Sequence, residues 1–305
     1  MLIKISQHIY ALPQQEEKDR PYLYYIYGKN SSLAVDAGSS PAHVKEFYQA
    51  LRQEGLPLPQ RTVLTHWHWD HSFGLCAVQG ETWATEKANA QLQKVKKWKW
   101  TPEDMARREE SGEDIAFCHH YICLEYPELS EIQVVLAKRA IHEEEVWDLG
   151  EVHCRLLPRD TPHSRDALLV LVPEDRALLV GDASGVDFYD YHASYDPERL
   201  KNWIHWLEGL DFSLFLSGHR PPQSKQQELE WLGKKLAALP AENDVGESPE
   251  AEDSDLKEFR EYLHNGRKGM LPLSFMILLI VLGFTAALLL SPDFLQWVLG
   301  LLGVA

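Results

Sequence analysis

Residues 65–74 read Thr-His-Trp-His-Trp-Asp-His-Ser-Phe-Gly, which places four metal-ligating side chains, His66, His68, Asp70 and His71, within six residues just after an apolar run. In extended or loop backbone, alternate side chains point to one side, so the His66 and His68 imidazoles converge while Asp70 and His71 enter from the turn that follows. Neutral imidazole and carboxylate are ligands that zinc accepts, and such a cluster can serve two ions. Two neighbouring ions need more groups than a single four-residue site supplies, so further ligands must come from elsewhere. Without a metal, unpaired polar groups at a shared buried site would be costly.

The 305-residue chain is 45% hydrophobic and carries ten Trp, enough for a substantial core. Its formal charge of -16 argues against nucleic acid as the main partner, because phosphate binding needs a basic surface. Part of that charge is local: between Ala241 and Glu261 nine acidic residues face only Lys257 and Arg260. Cys76, Cys118, Cys123 and Cys154 form no CxxC pair, and they read as reduced thiols of a cytosolic domain. The amino-terminal residues 1–8 lack the apolar core of a signal peptide and read as a first strand.

Residues 1–36 alternate in a β manner through Ile9–Leu12, Tyr22–Tyr27 and Ser32–Asp36. Pro41–Glu54 is expected to be a helix, with Val44, Phe47, Tyr48 and Leu51 on one face, and Thr62–Leu64 a buried strand leading into the histidines. Ser72–Val78 reads as helical and Thr82–Ala84 as a strand. Residues 87–131 read as a largely helical excursion, in which Thr101 followed by Pro102, Glu103 and Asp104 marks a helix start. Strands are expected at Ile132–Ile141, Val152–Leu157, Ala167–Val172 and Ala177–Val180, the last two as a hairpin. A helix over Pro197–Leu210 and a strand over Phe212–Leu216 follow. This order suggests sheets covered by helices on their outer faces, a layered α/β arrangement.

Three further positions carry ligand chemistry at strand ends: His163 in Thr-Pro-His-Ser, Asp182 in Gly-Asp-Ala, and His219 in Ser-Gly-His. The pattern His-x-His-x-Asp-His, then a single His, then Gly-Asp, then Gly-His resembles the metallo-β-lactamase superfamily, over roughly the first 225 residues. That resemblance implies an αββα sandwich with a binuclear site at one edge of the sheets. It implies that His66, His68 and His163 hold one metal, that Asp70, His71 and His219 hold the second, and that Asp182 bridges them. Two Zn2+ per chain are the expected cofactors, with iron or manganese as alternatives. A metal-bridging hydroxide would then cleave an ester, thioester, lactone or amide, with Asp70 orienting it or taking up its proton. Phosphodiester cleavage, or oxidation by a single iron as in persulfide dioxygenases, are the alternative activities. Phe73 stands where glyoxalase II enzymes place a first glycine, which turns the resemblance away from that branch.

Other residues carry weaker expectations. Trp67 and Trp69 alternate with the histidines and are read as core packing rather than pocket wall. Asp36 is set between a role orienting a ligand and a simple turn. In the loop 185–195, Asp187, Tyr189, Tyr191 and His192 are candidates to line a cleft, with ordinary packing as the default. His119 and His120 read as surface histidines. Lys94, Lys96, Lys97 and Lys99, interleaved with Trp98 and Trp100, read as a solvated helix end, with contact to anionic lipid headgroups or an anionic substrate as the sharper alternative.

The carboxyl-terminal region divides differently. The catalytic domain is assigned to residues 1–239, an acidic flexible linker to 240–255, a juxtamembrane segment to 256–269, a transmembrane helix to 270–291 and an apolar tail to 292–305. Residues 271–290 include thirteen Leu, Ile, Val or Phe among twenty and no charge. At about -0.3 to -0.6 kcal/mol each, these favour insertion by roughly 4 to 8 kcal/mol. Arg260, Arg267 and Lys268 flank the amino side, so a single-pass membrane protein with a cytoplasmic catalytic domain is expected, acting on a small-molecule substrate. The sequence leaves the oligomeric state open.

Overall fold

A computed structural model describes residues 1–189 and 194–239. Two mixed sheets face each other. The first runs in the spatial order β1 (Ile3–Lys4), β2 (Ile9–Leu12), β3 (Leu23–Tyr27), β4 (Ser32–Val35), β5 (Arg61–Val63), β6 (Glu81–Thr85) and β7 (Arg139–Ile141). The second contains β8 (Glu145–Asp148), β9 (His153–Arg159), β10 (Ala167–Val172), β11 (Ala177–Gly181), β12 (Leu214–Ser217) and β13 (Gln223–Ser224), in the order β13-β12-β11-β10-β9-β8. Strands β1 to β4 form an antiparallel meander, and β4 to β7 continue the sheet in parallel. The parallel part needs crossovers, which the helices supply.

Side-chain alternation decides which face each strand residue serves. Tyr24, Ile26, Leu33 and Val35 enter the core between the sheets with Leu168, Val170, Leu179 and Leu216. Their neighbours Leu23, Tyr25 and Ala34 point the other way, onto α1 (Pro41–Gln53), where Val44, Phe47, Tyr48 and Leu51 receive them. Each fully buried large apolar side chain contributes about 1.5–3 kcal/mol, so this face, more than helix propensity, holds α1 in place. Ser40 caps the helix by accepting from the His43 amide, and Pro41 sits in the first turn.

The described residues contain the short helix α2 (Trp69–Ser72), then α3 (Glu86–Val95), α4 (Pro102–Ser111), α5 (Ala116–Glu125), α6 (Pro197–Gly209) and α7 (Lys225–Ala237). The excursion is helical, with Thr101 accepting from the Asp104 amide to start α4. Several elements differ from the sequence reading. Of Ile132–Ile141 only Arg139–Ile141 pairs as a strand, because Ile132, Val134, Val135 and Leu136 are drawn onto the cluster of Trp69, Met105 and Ile122. Phe73–Ala77 is a 3-10 turn rather than a continued α-helix. Strand β8, with only Trp147 buried, and helix α7, with the capping box Ser224/Gln227, were not anticipated. The linker, the transmembrane helix and the apolar tail assigned to 240–305 lie outside the described residues, as do Tyr191 and His192. Among the described residues no helix is long and apolar enough to cross a membrane.

At one end of the sandwich the sheets are tied together, since the Leu168 amide donates to the Thr65 carbonyl at 2.7 Å and the Tyr22 amide to the Gly218 carbonyl at 2.7 Å. The loops leaving β4, β5, β11 and β12, and the turn between β9 and β10, all open at this end. They carry the polar residues described next.

Candidate metal centre

All seven residues singled out as ligands meet here, in two groups. His66, His68 and His163 form one, and Asp70, His71, Asp182 and His219 the other, each with ligand atoms within 4.8 Å of one another. In the first, His163 Nε2 stands 2.9 Å from His68 Nδ1. In the second, Asp70 Oδ2 lies 3.0 Å from His71 Nε2 and 2.9 Å from His219 Nε2, and Asp182 Oδ2 lies 3.3 Å from His71 Nε2. Asp182 Oδ2 is also 3.9 Å from His163 Nε2, so this carboxylate stands between the groups.

Hydrogen bonds behind the site fix which nitrogen His66, His71 and His163 present. Asp36 accepts from the Thr65 amide at 2.7 Å and from the Thr65 hydroxyl at 2.9 Å. Having given its proton to Asp36, the hydroxyl can only accept from His66 Nδ1, 3.1 Å away, which leaves a bare lone pair on His66 Nε2. His163 Nδ1 likewise donates to the Val186 carbonyl at 2.7 Å. His71 Nδ1 donates to Asp36 at 2.8 Å. Asp36 therefore orients ligands on both sides, and it does so from a left-handed conformation at φ +69°, which short polar residues tolerate. Ser39 supports Asp70 from behind, donating to its backbone carbonyl at 3.2 Å.

Electrostatics separate the two groups. Burial, with crowding by neighbouring imidazoles, holds His66 and His68 well below the usual histidine range, and burial lowers His163 too, so these rings are neutral. Burial would push the Asp70 and Asp182 carboxyls up, but His71 and His219 outweigh it and hold both well below the ordinary carboxylate range. In return, although burial opposes it, Asp70, Asp182 and Asp36 raise His71, while Asp182, Asp19 and Asp70 push His219 up to about 10. The Asp19 carboxyl is itself raised, first by burial.

The donor set fits divalent metal ions. His66 Nε2 is buried without any hydrogen-bond partner, a lone pair whose burial costs about 1–3 kcal/mol unless something accepts it. Gly218 leaves room that no other residue could, because a Cβ there would fall 2.5 Å from Asp182 Oδ1 and 2.8 Å from His71 Cε1. Neutral imidazoles beside ionised carboxylates are the forms in which these residues ligate; His66, His68 and His163 already have that form, whereas His71 and His219, raised by the carboxylates, would give up a proton to a metal ion.

Around the ligands the structure corrects several readings. Trp69 is core, and Trp67, half-buried, packs against the same cluster as expected while its ring also stands beside the site, 4.7 Å from His68 and 5.0 Å from Tyr189. His119 is not a surface residue: it is buried on α5 with Nε2 3.0 Å from Asp114 Oδ2. Asp187 accepts from Arg199 at 3.1 Å, pinning the loop that supplies the Val186 carbonyl. Trp98 and Trp100 stack on Arg108 at 4.5 and 4.9 Å and so turn inward, leaving Lys94, Lys96, Lys97 and Lys99 exposed. The sequence reading missed Arg20, whose buried guanidinium bonds Glu125 of α5 at 2.8 and 2.7 Å. It also missed Asp19, 3.5 Å from His219 Nδ1. Neither lies in a motif, and only the fold brings them to the site.

Two mixed sheets flanked by helices, with paired His/Asp clusters at one sheet end, define a metal-binding α/β sandwich. A sequence profile of the metallo-beta-lactamase superfamily matches residues 19–219, and the chain belongs to that family. Solved structures agree on the fold. The metallo-beta-lactamase from Pontibacter korlensis aligns with a TM-score of 0.54 at 14% identity, covering 77% of this chain and 98% of that one. An archaeal superfamily protein, ST1585 from Sulfolobus tokodaii, aligns at 0.51 and 18% identity over 85% and 96% of the two chains. The family protein TTHA1429 from Thermus thermophilus gives 0.54 at 16% over 76% and 80%. At such identities the likeness speaks for the fold alone. No curated protein matches the chain.

Proposed function

We propose that this protein is a binuclear metallohydrolase, most readily served by zinc, that cleaves an ester, thioester, lactone or amide. The observation that carries the reading is the division of seven ligands into two adjacent groups joined by Asp182. His66, His68 and His163 would hold one ion, Asp70, His71 and His219 the other, with Asp182 shared. When bound, such ions supply Lewis acidity and lower the pKa of water from about 15.7 to about 7. The chain's own part is to hold ligands rigid through Asp36, Thr65 and Val186, and to keep Asp70 ionised where it can accept a proton from the attacking water. The acidic overall charge supports a small-molecule substrate over nucleic acid.

We further propose that residues 270–291 anchor the chain in a membrane with residues 1–239 on the cytoplasmic side. Support comes from the uncharged apolar run and the Arg260, Arg267 and Lys268 flank. Carbonate extraction of the full chain and of one lacking 270–291 tests this: the former should stay with membranes and the latter should not.

Elemental analysis of the full chain in mild detergent tests the catalytic reading. About two zinc ions per chain are expected, falling in Asp182→Ala and His219→Ala, together with turnover in a screen of esters, thioesters and lactones. One iron per chain with persulfide oxidation would replace it by the oxidoreductase reading. Turnover confined to phosphodiesters would replace it by the phosphodiesterase reading.

A further inference from the structure

The two ligand groups have unlike surroundings. Beside the three histidines stand aromatic rings: Trp67 edge-on to His68 at 4.7 Å, Tyr189 at 5.2 Å from His68, and Phe188 edge-on to His163 at 6.3 Å. All three residues are half-buried. Tyr189 is pinned from the far side, where its hydroxyl donates to Asp114 Oδ1 at 3.1 Å and lies 3.6 Å from Cys118 Sγ. Asp114 is buried, and its other oxygen is held by His119 Nε2 at 3.0 Å. With its oxygen engaged by the helical excursion, Tyr189 turns carbon rather than oxygen toward the histidines. Beside the other group stand carboxylates instead, Asp70, Asp182 and Asp19, around His219 with 30% of its side chain exposed.

We propose that Trp67, Phe188 and Tyr189 form an apolar subsite that receives an aryl or alkyl group of the substrate beside the three-histidine group. Trp67 and Tyr189 are then specificity-determining. A flat aromatic wall next to polar ligands favours a substrate whose cleavable bond is joined directly to an apolar moiety, because burying that moiety removes carbon surface from water while the polar end stays with the ligands. The proposal rests on the metallohydrolase reading and names the substrate class within it.

Two thiols that share a metal-binding sulfur separate the wall from the metal. The full chain in detergent is loaded with cobalt(II), and binding of 2-mercaptoethanol and 2-phenylethanethiol is followed by the thiolate-to-cobalt charge-transfer band. Burial of the phenyl ring should make the aryl thiol bind about tenfold tighter or more, and Trp67→Ala or Tyr189→Ala should cut that ratio to about threefold or less by weakening the aryl thiol more than 2-mercaptoethanol. The cobalt ligand-field bands report that each variant keeps its site, and either variant alone suffices. Cobalt uptake with no aryl preference, or a preference that both variants retain, overturns the subsite and leaves the hydrolase reading standing. A chain that takes up no cobalt and no zinc overturns both.

Discussion

Asp36 Oδ2 lies 2.8 Å from His71 Nδ1, and the other oxygen of the same carboxylate accepts from the Thr65 amide at 2.7 Å. One side chain at the end of β4 thus sets the His71 ring and, through the Thr65 hydroxyl, the His66 ring. Both groups of ligands depend on it. Asp36→Asn should keep the fold, since Asn tolerates φ +69°, yet it offers His71 an N–H where the imidazole needs an acceptor. Metal affinity should fall about 10–100-fold, as measured by competition with a chromophoric chelator. Unchanged affinity would show that His71 needs no such partner.

Gly218 makes a second prediction, because the Cβ of Gly218→Ala would sit 2.5 Å from Asp182 Oδ1. Asp182 is short and hemmed in, so the carboxylate must swing away from its position between the groups. Elemental analysis should show lower metal occupancy. Thermal unfolding in chelator should differ little from wild type, because the new methyl meets the ligands and not the core.

The candidate ligands were legible in the sequence because His66, His68, Asp70 and His71 crowd into six residues, whereas His163, Asp182 and His219, each at a strand end, joined them through the family resemblance, and the structure brings all seven together. The strands of the hairpin Ala177–Gly181 and Ala167–Val172 were legible for the same reason, as continuous apolar runs buried on both faces. Ile132–Leu136 is equally apolar but packs on the excursion instead of pairing, and no periodicity distinguishes those outcomes. Arg20 with Glu125, 105 positions apart, and Tyr189 with Asp114, 75 apart, carry no sequence signal at all. Where charge and aromatic pairs are closed by tertiary contact, only the fold reveals them.

Asp166 yields a pH dependence. It is buried and accepts from the Trp67 amide at 2.9 Å, and burial pushes its carboxyl up to about 6. A folded-state value above the unfolded one, about 3.9, means the folded chain keeps this proton longer. Stability from this group is therefore greatest in acid, falls as pH rises from about 4 to about 6, and stays reduced above that. A rise of that size corresponds to about 3 kcal/mol at most. Asp166→Asn can still accept from Trp67, so in chelator it should be the more stable protein at pH 7 to 8 and lose its advantage near pH 4. Urea unfolding across that range checks the crossover, and parallel curves would refute it.

The buried pair of Arg20 and Glu125 carries the last prediction. Glu125 has no exposed side-chain surface, bonds both the Nε and Nη2 of Arg20, and accepts from Ser40, the cap of α1. Three segments distant in sequence are joined at that carboxylate: the amino-terminal turn that carries Asp19, the start of α1, and the excursion helix α5. Glu125→Ala would leave Arg20 with only the partly exposed Glu46, at 3.0 Å, and its neighbour Gln15. Removing one partner of a buried pair costs about 3–5 kcal/mol, and Glu46 should bring this case toward the lower end. For a domain of this size, about 3 kcal/mol lowers the melting temperature by roughly 6–12 °C. Because the turn also places Asp19 3.5 Å from His219, the loss should loosen the second ligand group first. Titration of zinc into Glu125→Ala should therefore show one site near wild-type affinity and one weakened. Equal weakening of both sites would mean that the pair supports the fold as a whole and not His219 in particular.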